Sequence, residues 1–303
     1  MSNFLNPGQL VFGSTKAWFC GNDGNTYELT SQSGGSWFPS YGKNFTYTGE
    51  YVIVPEGDSG DWKVKFLTSG TFTATDALLI DVFAVGGGGG GGAPFKGPTY
   101  YYGGGGGGGG YTTTQKSVYL EKDKSYEIVI GDGGAAGNNG GNSTGFNITG
   151  NGGNAPIYAD GYHINGGNGG SGGGAGSSDI YSTSSTTATV GASDGNTASN
   201  SHNLITGGTG QGSTTREFGE ESGDLYAGGG GGGAGRQYSG IGDNPGKVGG
   251  DGGGGTGAEY NYASTVGTVN LGGGGGGGSY VSSNNRPGAA GGSGILIIRN
   301  HRE

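Results

Sequence analysis

Residues 78–92 read Leu-Leu-Ile-Asp-Val-Phe-Ala-Val followed by seven glycines, Gly86–Gly92. A β-branched, apolar run passes into pure glycine with no turn residue between them. Glycine loses more backbone entropy on ordering than any other residue, so such a run orders only if a lattice of contacts holds it. The polyproline-II helix suits it. This helix has three residues per turn and rises about 3.1 Å per residue, with its backbone polar groups pointing outward. Helices made of glycine alone can approach closely enough to hydrogen-bond sideways. Seven or eight residues then make a rod of roughly 22–25 Å. The expectation is a set of parallel and antiparallel rods in one packed lattice, anchored by strands and joined by loops.

The same signature recurs along the chain. Gly103–Gly110, Gly228–Gly233 and Gly272–Gly278 are pure runs of similar length. Shorter glycine-dominated stretches lie at 131–141, 150–153, 166–176, 207–212 and 249–257. A flexible linker is the competing reading, because 83 glycines and 8 prolines in 303 residues approach the composition of disordered chains. Uniform run lengths, runs without serine and directly abutting strands favour rods. No Gly-X-Y period exists, which excludes collagen.

Only 30% of residues are hydrophobic, yet aromatics reach 11%, which is unlike a disordered chain. The net charge is −9 with no basic patch, so nucleic acid and anionic membranes are not expected as partners. One cysteine, Cys20, allows no intramolecular disulfide. No segment is long and apolar enough to span a bilayer, and the N-terminal residues lack a signal-peptide pattern. Membrane insertion is not expected, and synthesis is expected in the cytoplasm without export.

Strand signals precede the first rod. Residues 45–54 are aromatic and β-branched, and Asp61-Trp-Lys-Val-Lys-Phe66 alternates, with Trp62, Val64 and Phe66 on one face and Lys63 and Lys65 on the other. Residues 70–73 and 78–85 follow. Residues 115–120 and 125–130 flank a turn at 121–124 and read as a hairpin; 146–149 adds a short strand. The last strand, 294–299, is expected beside 78–85 and that hairpin. The fold class is therefore mostly β plus a polyglycine-II lattice: small antiparallel sheets anchor a glycine-rich rod sandwich with long loops and no α-helix. Residues 1–44 form an attachment arm or a small β subdomain, and residues 45–303 form the β and glycine-rich domain. In the first part Trp18, Phe19, Trp37 and Phe38 are candidate anchors for a partner protein, since aromatic residues dominate interface contacts.

If the strands mark the near end, loops 93–102 and 279–290 lie at the far end. Counting rods forward places 154–165, 213–227 and 258–271 there too. Counting backward places 236–248 and 177–206 there instead.

The order of these elements resembles the glycine-rich domain of phage and prophage tail proteins. The residues that carry it are Phe66-Leu-Thr-Ser-Gly-Thr-Phe-Thr73, Ile80–Val85 into Gly86–Gly92, Gly103–Tyr111, Ser125–Gly134 and the closing Gly291-Gly-Ser-Gly-Ile-Leu-Ile-Ile-Arg299. It covers residues 45–299. The architecture is also similar to the tail-fibre tip adhesins of T-even-like phages, in which polyglycine-II helices present variable loops. The resemblance implies a virion tail protein, at a fibre tip or baseplate, that binds the bacterial surface and contacts other tail proteins. Residues 1–44, with Trp18, Phe19, Trp37 and Phe38, then hold the virion attachment. A homotrimer and a single-copy cap both fit, and a purely structural virion protein is the alternative.

Chemistry is sparse. His163, His202 and His301 have no ligand spacing, and Gly-x-Gly-x-x-Gly matches everywhere without a following helix. No metal, cofactor or catalytic group is expected. Glu217, Glu220, Glu221 and Asp224 lie within eight residues. Such a cluster suits either calcium or a solvated loop; a glycosidase pair would need a defined carboxylate separation. The candidate binding residues are Phe95, Lys96, Tyr100, Tyr101, Tyr102, Tyr158, Tyr162, Tyr260 and Tyr262, because tyrosine offers a flat face and a hydroxyl with little rotamer entropy to lose. Packing along the lattice is the competing role for them. The partner would be a surface polysaccharide or protein.

Overall fold

The computed structural model describes residues 44–56, 61–96, 101–159, 163–177, 215–235, 247–259, 261–280 and 285–300, together with the backbone of three strands before residue 30. The strands are β1 (Leu10–Phe12), β2 (Ala17–Cys20), β3 (Thr26–Leu29), β4 (Phe45–Tyr47), β5 (Tyr51–Glu56), β6 (Asp61–Phe66), β7 (Gly70–Ala74), β8 (Leu78–Val85), β9 (Phe95–Lys96), β10 (Tyr101–Tyr102), β11 (Thr112–Leu120), β12 (Ser125–Ile128), β13 (Ser143–Gly145), β14 (Ile148–Gly150), β15 (Tyr158–Ala159), β16 (His163–Ile164) and β17 (Ile295–Asn300). The described residues contain no α-helix, only a short 3-10 turn at Glu217–Gly219.

An eight-stranded antiparallel sheet runs in the order β11-β8-β17-β6-β5-β1-β2-β3. A three-stranded sheet, β12-β7-β4, packs on one face of it. Between them lie Phe45, Trp62, Val64, Phe66, Phe72, Ile80, Val82, Leu120, Ile128, Leu296 and Ile298, all buried. The alternation of β6 holds: Trp62, Val64 and Phe66 enter this core. β8 is nearly continuous in apolar character because its other face is covered too, by a second cluster of Phe83, Val85, Ile295, Ile297, Phe218 and Tyr226. β17 enters between β8 and β6, pairing antiparallel with both. The chain is mostly β in antiparallel sheets, as expected, and β1 to β3 extend the largest of them through the pairing of Leu10–Phe12 with Tyr51–Ile53.

Two local readings change. The turn at 121–124 does not close a hairpin: β11 pairs with β8, whereas β12 pairs with β7 in the opposite sheet. The turn carries the chain across the sandwich, a non-local choice that no local pattern encodes. Residues 146–149 are not one strand either. Phe146 and Asn147 have φ of +51° and +64° and form the turn between β13 and β14, a geometry that suits two-residue hairpins.

The glycine rods form the predicted lattice, and the hydrogen bonds show its threefold period. Gly86, Gly89 and Gly92 donate to Tyr111, Gly108 and Gly105; Gly87 and Gly90 donate to Gly141 and Asn138; Gly88 and Gly91 donate to Gly292 and Ala289. The carbonyls of the same rod accept from Gly134 and Gly137, from Gly153, and from Gly275 and Gly278. One rod therefore touches six neighbours, three through its N–H groups and three through its carbonyls. Each run has negative φ except at Gly272, so the rods share the left-handed polyproline-II sense.

Purity reports position in this lattice. A Cβ on Gly88 would lie 2.1 Å from the Gly273 oxygen, and one on Gly107 2.0 Å from the Gly89 oxygen. Rods surrounded on all sides must be glycine throughout. Rods at the boundary admit other residues where they face outward, as at the exposed Ala135, Ala136 and Asn139. Asparagine also seals that boundary. The side-chain oxygens of Asn139 and Asn142, three residues apart, accept from the amides of Ala155 and Gly152, also three apart. They stand where the carbonyls of a further rod would be.

Three of the mixed stretches, 131–141, 166–176 and 249–257, are two rods each, not one; 150–153 belongs to a single rod, and 207–212 lies outside the described residues. Residues 131–137 run away from the sheet and 138–142 return; 165–170 return and 171–177 leave; 247–250 return and 253–258 leave. Gly137, Gly252 and Gly253 take positive φ at these reversals. This hidden doubling makes the forward and backward counts disagree. With it restored, the described rods reach the far end next to Phe95–Lys96 and Tyr101–Tyr102, at 156–157, 164–165, Ser177, Gly235, Lys247, Glu259 and Ser279. Residues 215–227 lie at the sheet end instead, against Phe83 and Ile297.

Candidate functional site

The two ends of the lattice differ in chemistry. At the far end β9 and β10 pair, Tyr101 opposite Lys96 and Tyr102 opposite Phe95. The Phe95 and Tyr102 rings stack with centroids 6.3 Å apart. Tyr101 lies 4.2 Å from Tyr280, centroid to centroid, and the Lys96 ammonium sits 5.6 Å from the Tyr101 ring. The 93–102 and 279–286 loops are thereby joined. Rods beneath them fix this: Gly278 donates to Gly92, and Gly104 donates to Gly278. Ser279 and Arg286 close the second loop through two backbone hydrogen bonds of 3.0 Å each.

The candidate binding residues divide here. Phe95, Lys96, Tyr101 and Tyr102 come together, with Tyr102 buried and Lys96 exposed. Tyr262 is 63% exposed at the same end. Tyr158 lies on the far-end strand β15, of which the backbone alone is described. Tyr100, Tyr162, Tyr260, Trp37 and Phe38 lie outside the described residues. Trp18 and Phe19 are placed by backbone only, in β2 at the sheet end. Tyr280, which sequence reasoning passed over, completes the Tyr101 contact. Its position immediately past a pure glycine run and one serine was the available signal.

At the sheet end, residues 215–226 fold over the face of the large sheet. Of the acidic cluster that suggested calcium or solvent, Glu217, Glu220 and Asp224 are paired with basic residues of the sheet, while Glu221 is exposed. Glu217 is 2% exposed and meets Lys63 at 2.7 Å and Lys65 at 3.5 Å. Lys65 donates to Asp224 at 3.0 Å and to the Tyr226 hydroxyl at 2.9 Å. Arg299 spans fully buried Asp81 at 3.0 Å and Glu220 at 2.7 Å, and its guanidinium lies 4.3 Å from the centre of the Phe218 ring. Phe218 holds φ at +53°, rare for a bulky side chain, which places its ring against Phe83. Among the described residues no group of three or more His, Cys, Asp or Glu is arranged to hold a metal.

A family profile described as a glycine-rich domain matches residues 67–301. The chain belongs to this glycine-rich domain family. No curated protein sequence matches the chain. The family span starts just after β6, yet β6 pairs with β17 inside it, so residues before the glycine-rich domain complete its sheet.

The loop over the sheet makes the glycine-rich domain acid-sensitive. The Arg299 hydrogen bond holds the Glu220 carboxyl below its ordinary value. Burial pushes Asp224 up, but hydrogen bonding and charge from Lys65 bring it below its ordinary value overall. Both pKa values are lower folded than unfolded. Their contribution is therefore complete above the unfolded carboxylate range, about pH 4, and is lost as pH falls through the folded values. Burial and Glu217 push the Tyr226 phenol up, so its contribution is lost as pH rises past about 10. Proteolysis within 215–226 should accelerate below about pH 4 while fluorescence from the buried Trp62 still reports a folded sandwich. Equal cleavage at pH 3 and 7 would refute this.

Proposed function

We propose that this chain is a phage virion tail protein, at a fibre tip or baseplate, that attaches to the bacterial surface through the loops at the far end of its lattice. The observation that supports this is the segregation of the two ends. The eight-stranded and three-stranded sheets and the paired 215–226 loop gather at one end, whereas the chain segments that begin or end at Lys96, Tyr101, Ala159, Glu259 and Tyr280 leave the other. A lattice bonded on every side of its inner rods fixes the points from which these loops leave, which lowers the entropy lost on binding. The reading involves no catalysis and no cofactor.

Labelled protein should adsorb to host cells, and replacement of 93–102 by a Gly-Ser loop should abolish most of that adsorption. Unchanged adsorption would refute the role of this loop. A purely structural tail protein is the second reading. Buried Tyr102 and the tilted Tyr101–Tyr280 contact favour it, because these rings use their contact area on the chain itself. Serum raised against the glycine-rich domain should block virion adsorption under the first reading and leave it intact under the second.

A further inference from the structure

We propose that the non-glycine residues spaced three apart on the outermost rods are stops, which keep the lattices of two copies of this chain from fusing side by side. They act whether or not the far-end loops bind a host. Three rods make up one side of the lattice. Residues 263–269 donate through Gly267 to Ala290, and residues 287–293 donate through Gly291 to Gly134 in rod 131–137. Each of the three also bonds inward: Thr265 donates to Thr256, Ala289 to Gly276 and Gly134 to Gly88. Their other side faces solvent. Val266 is 63% exposed, and Ala135, Ala263 and Pro287 are exposed as well.

The backbone of this side is open to growth. Among the described residues the amides of Val266 and Ala290 donate to no group, whereas every amide of Gly86–Gly92 donates to a neighbouring segment. Charge does not protect the side either. The chain carries a net charge of −9, yet residues 132–137, 263–269 and 287–293 hold one charged side chain, Asp132. Free amides on a nearly uncharged side are the lattice counterpart of a bare sheet edge, which templates pairing with another molecule unless something blocks it.

The block is steric and follows the threefold period. In rod 287–293 a Cβ on Gly288, Gly291 or Gly292 would lie 2.3, 2.1 or 2.0 Å from the oxygen of Gly91, Gly88 or Thr268. Those positions face neighbours and are glycine. Pro287 and Ala290, in the phase that faces away, each carry a Cβ. Rod 131–137 repeats this. A Cβ on Gly133 or Gly134 would lie 2.0 or 2.1 Å from the oxygen of Gly291 or Asn138, whereas Asp132 and Ala135 face outward. In rod 263–269 the inward Gly267 contrasts with outward Ala263, Val266 and Val269. A rod of a second copy arriving in register would meet these Cβ atoms at the separation the lattice denies to its own.

The test compares the full chain carrying Ala263→Gly, Val266→Gly and Val269→Gly with the parent, by sedimentation at increasing concentration. The triple variant should associate to at least about double the parent's mass at the same concentration. Val266→Ala with Val269→Ala keeps every Cβ and should sediment as the parent does. Labelled parent should stay out of the associated material, because its own stops remain. Thermal melts show which variants are folded. Glycine weakens a rod, so Pro287→Gly with Ala290→Gly, which opens the same side from the neighbouring rod, decides the matter if the triple variant melts below the assay temperature. A folded glycine variant with the parent's mass at every concentration overturns the proposal. So does equal association of the alanine variant, or incorporation of the labelled parent.

Discussion

Replacing Gly107 with alanine should destabilise the glycine-rich domain by at least about 3 kcal/mol, at or beyond the upper range of overpacking costs. Gly107 sits in the run Gly103–Gly110, donating to the Gly275 carbonyl at 2.8 Å and accepting from Gly230 at 2.8 Å. Its new Cβ would lie 2.0 Å from the Gly89 oxygen and 2.6 Å from the Gly89 carbonyl carbon. These are backbone atoms held by their own lattice bonds, so no side chain can swing aside. Opening the lattice to make room would lengthen bonds to several rods at once. The sign makes the test decisive. Where the native backbone tolerates it, glycine to alanine stabilises by about 0.4–1 kcal/mol through the unfolded chain. Urea denaturation supplies the measurement, with exposed Ala135→Ser as a control expected to change stability by less than about 0.5 kcal/mol. A Gly107→Ala midpoint at or above the parent's would mean that the rods do not pack as described.

Arg299→Met should cost about 3–5 kcal/mol, the usual penalty for removing one partner of a buried ion pair. Asp81 is fully buried and takes two hydrogen bonds from Arg299, at 3.2 and 3.0 Å, and one from the Ser117 amide at 3.0 Å. Ser117 reaches it from a bulge in β11, with φ at +57°, where the register against β8 shifts. Methionine keeps much of the apolar stem but leaves the Asp81 charge without its guanidinium. The exposed half of the pair, Glu220, should matter far less, because solvent screens it. Combining Arg299→Met with Asp81→Leu should recover much of the loss, since paired apolar replacements of buried ions are often neutral. If the single variant unfolds at the parent's urea concentration, the Arg299–Asp81 pair is not what holds β17 to β8 and to the 215–226 loop.

The rods and the strands that enter them were readable because both signals are local. Gly86–Gly92 follows Val85 directly, and β6 alternates residue by residue. The reversals within 131–141, 166–176 and 249–257 were not readable, because a turn between two glycine rods has the same composition as the rods. The 121–124 turn looked like a hairpin since nothing nearby records that β12 pairs with β7. The 215–226 loop was harder still. Lys65 and Asp224 are 159 positions apart, and Arg299 and Glu220 are 79 apart. The lysines read as an outward strand face and the carboxylates as a solvated cluster, and only the fold introduces them to each other. That 93–102 and 279–290 share the far end followed from rod direction, but their contact through Tyr101 and Tyr280 did not. Nor did the burial of Tyr102, because a tyrosine beside a glycine run carries no mark of which side it will face.

The inner rods have no side chains, and this has a consequence for inheritance. A pure glycine rod slid by one turn meets the same partners in the same way, so nothing within it records its own alignment. That record is kept by what brackets the rods: Val85 and Tyr111 at the sheet, and the Ser279–Arg286 bridge at the tip. Gain or loss of three glycines, matched in an outgoing and a returning run, moves the intervening loop by about 9 Å along the axis and leaves its direction of exit unchanged. One or two glycines turn the exit by a third or two thirds of a circle. Replication slippage in glycine codons would therefore reset the reach and heading of an individual loop while leaving the sheet-end contacts unchanged, at the cost of its contacts with neighbouring loops such as Tyr101 with Tyr280.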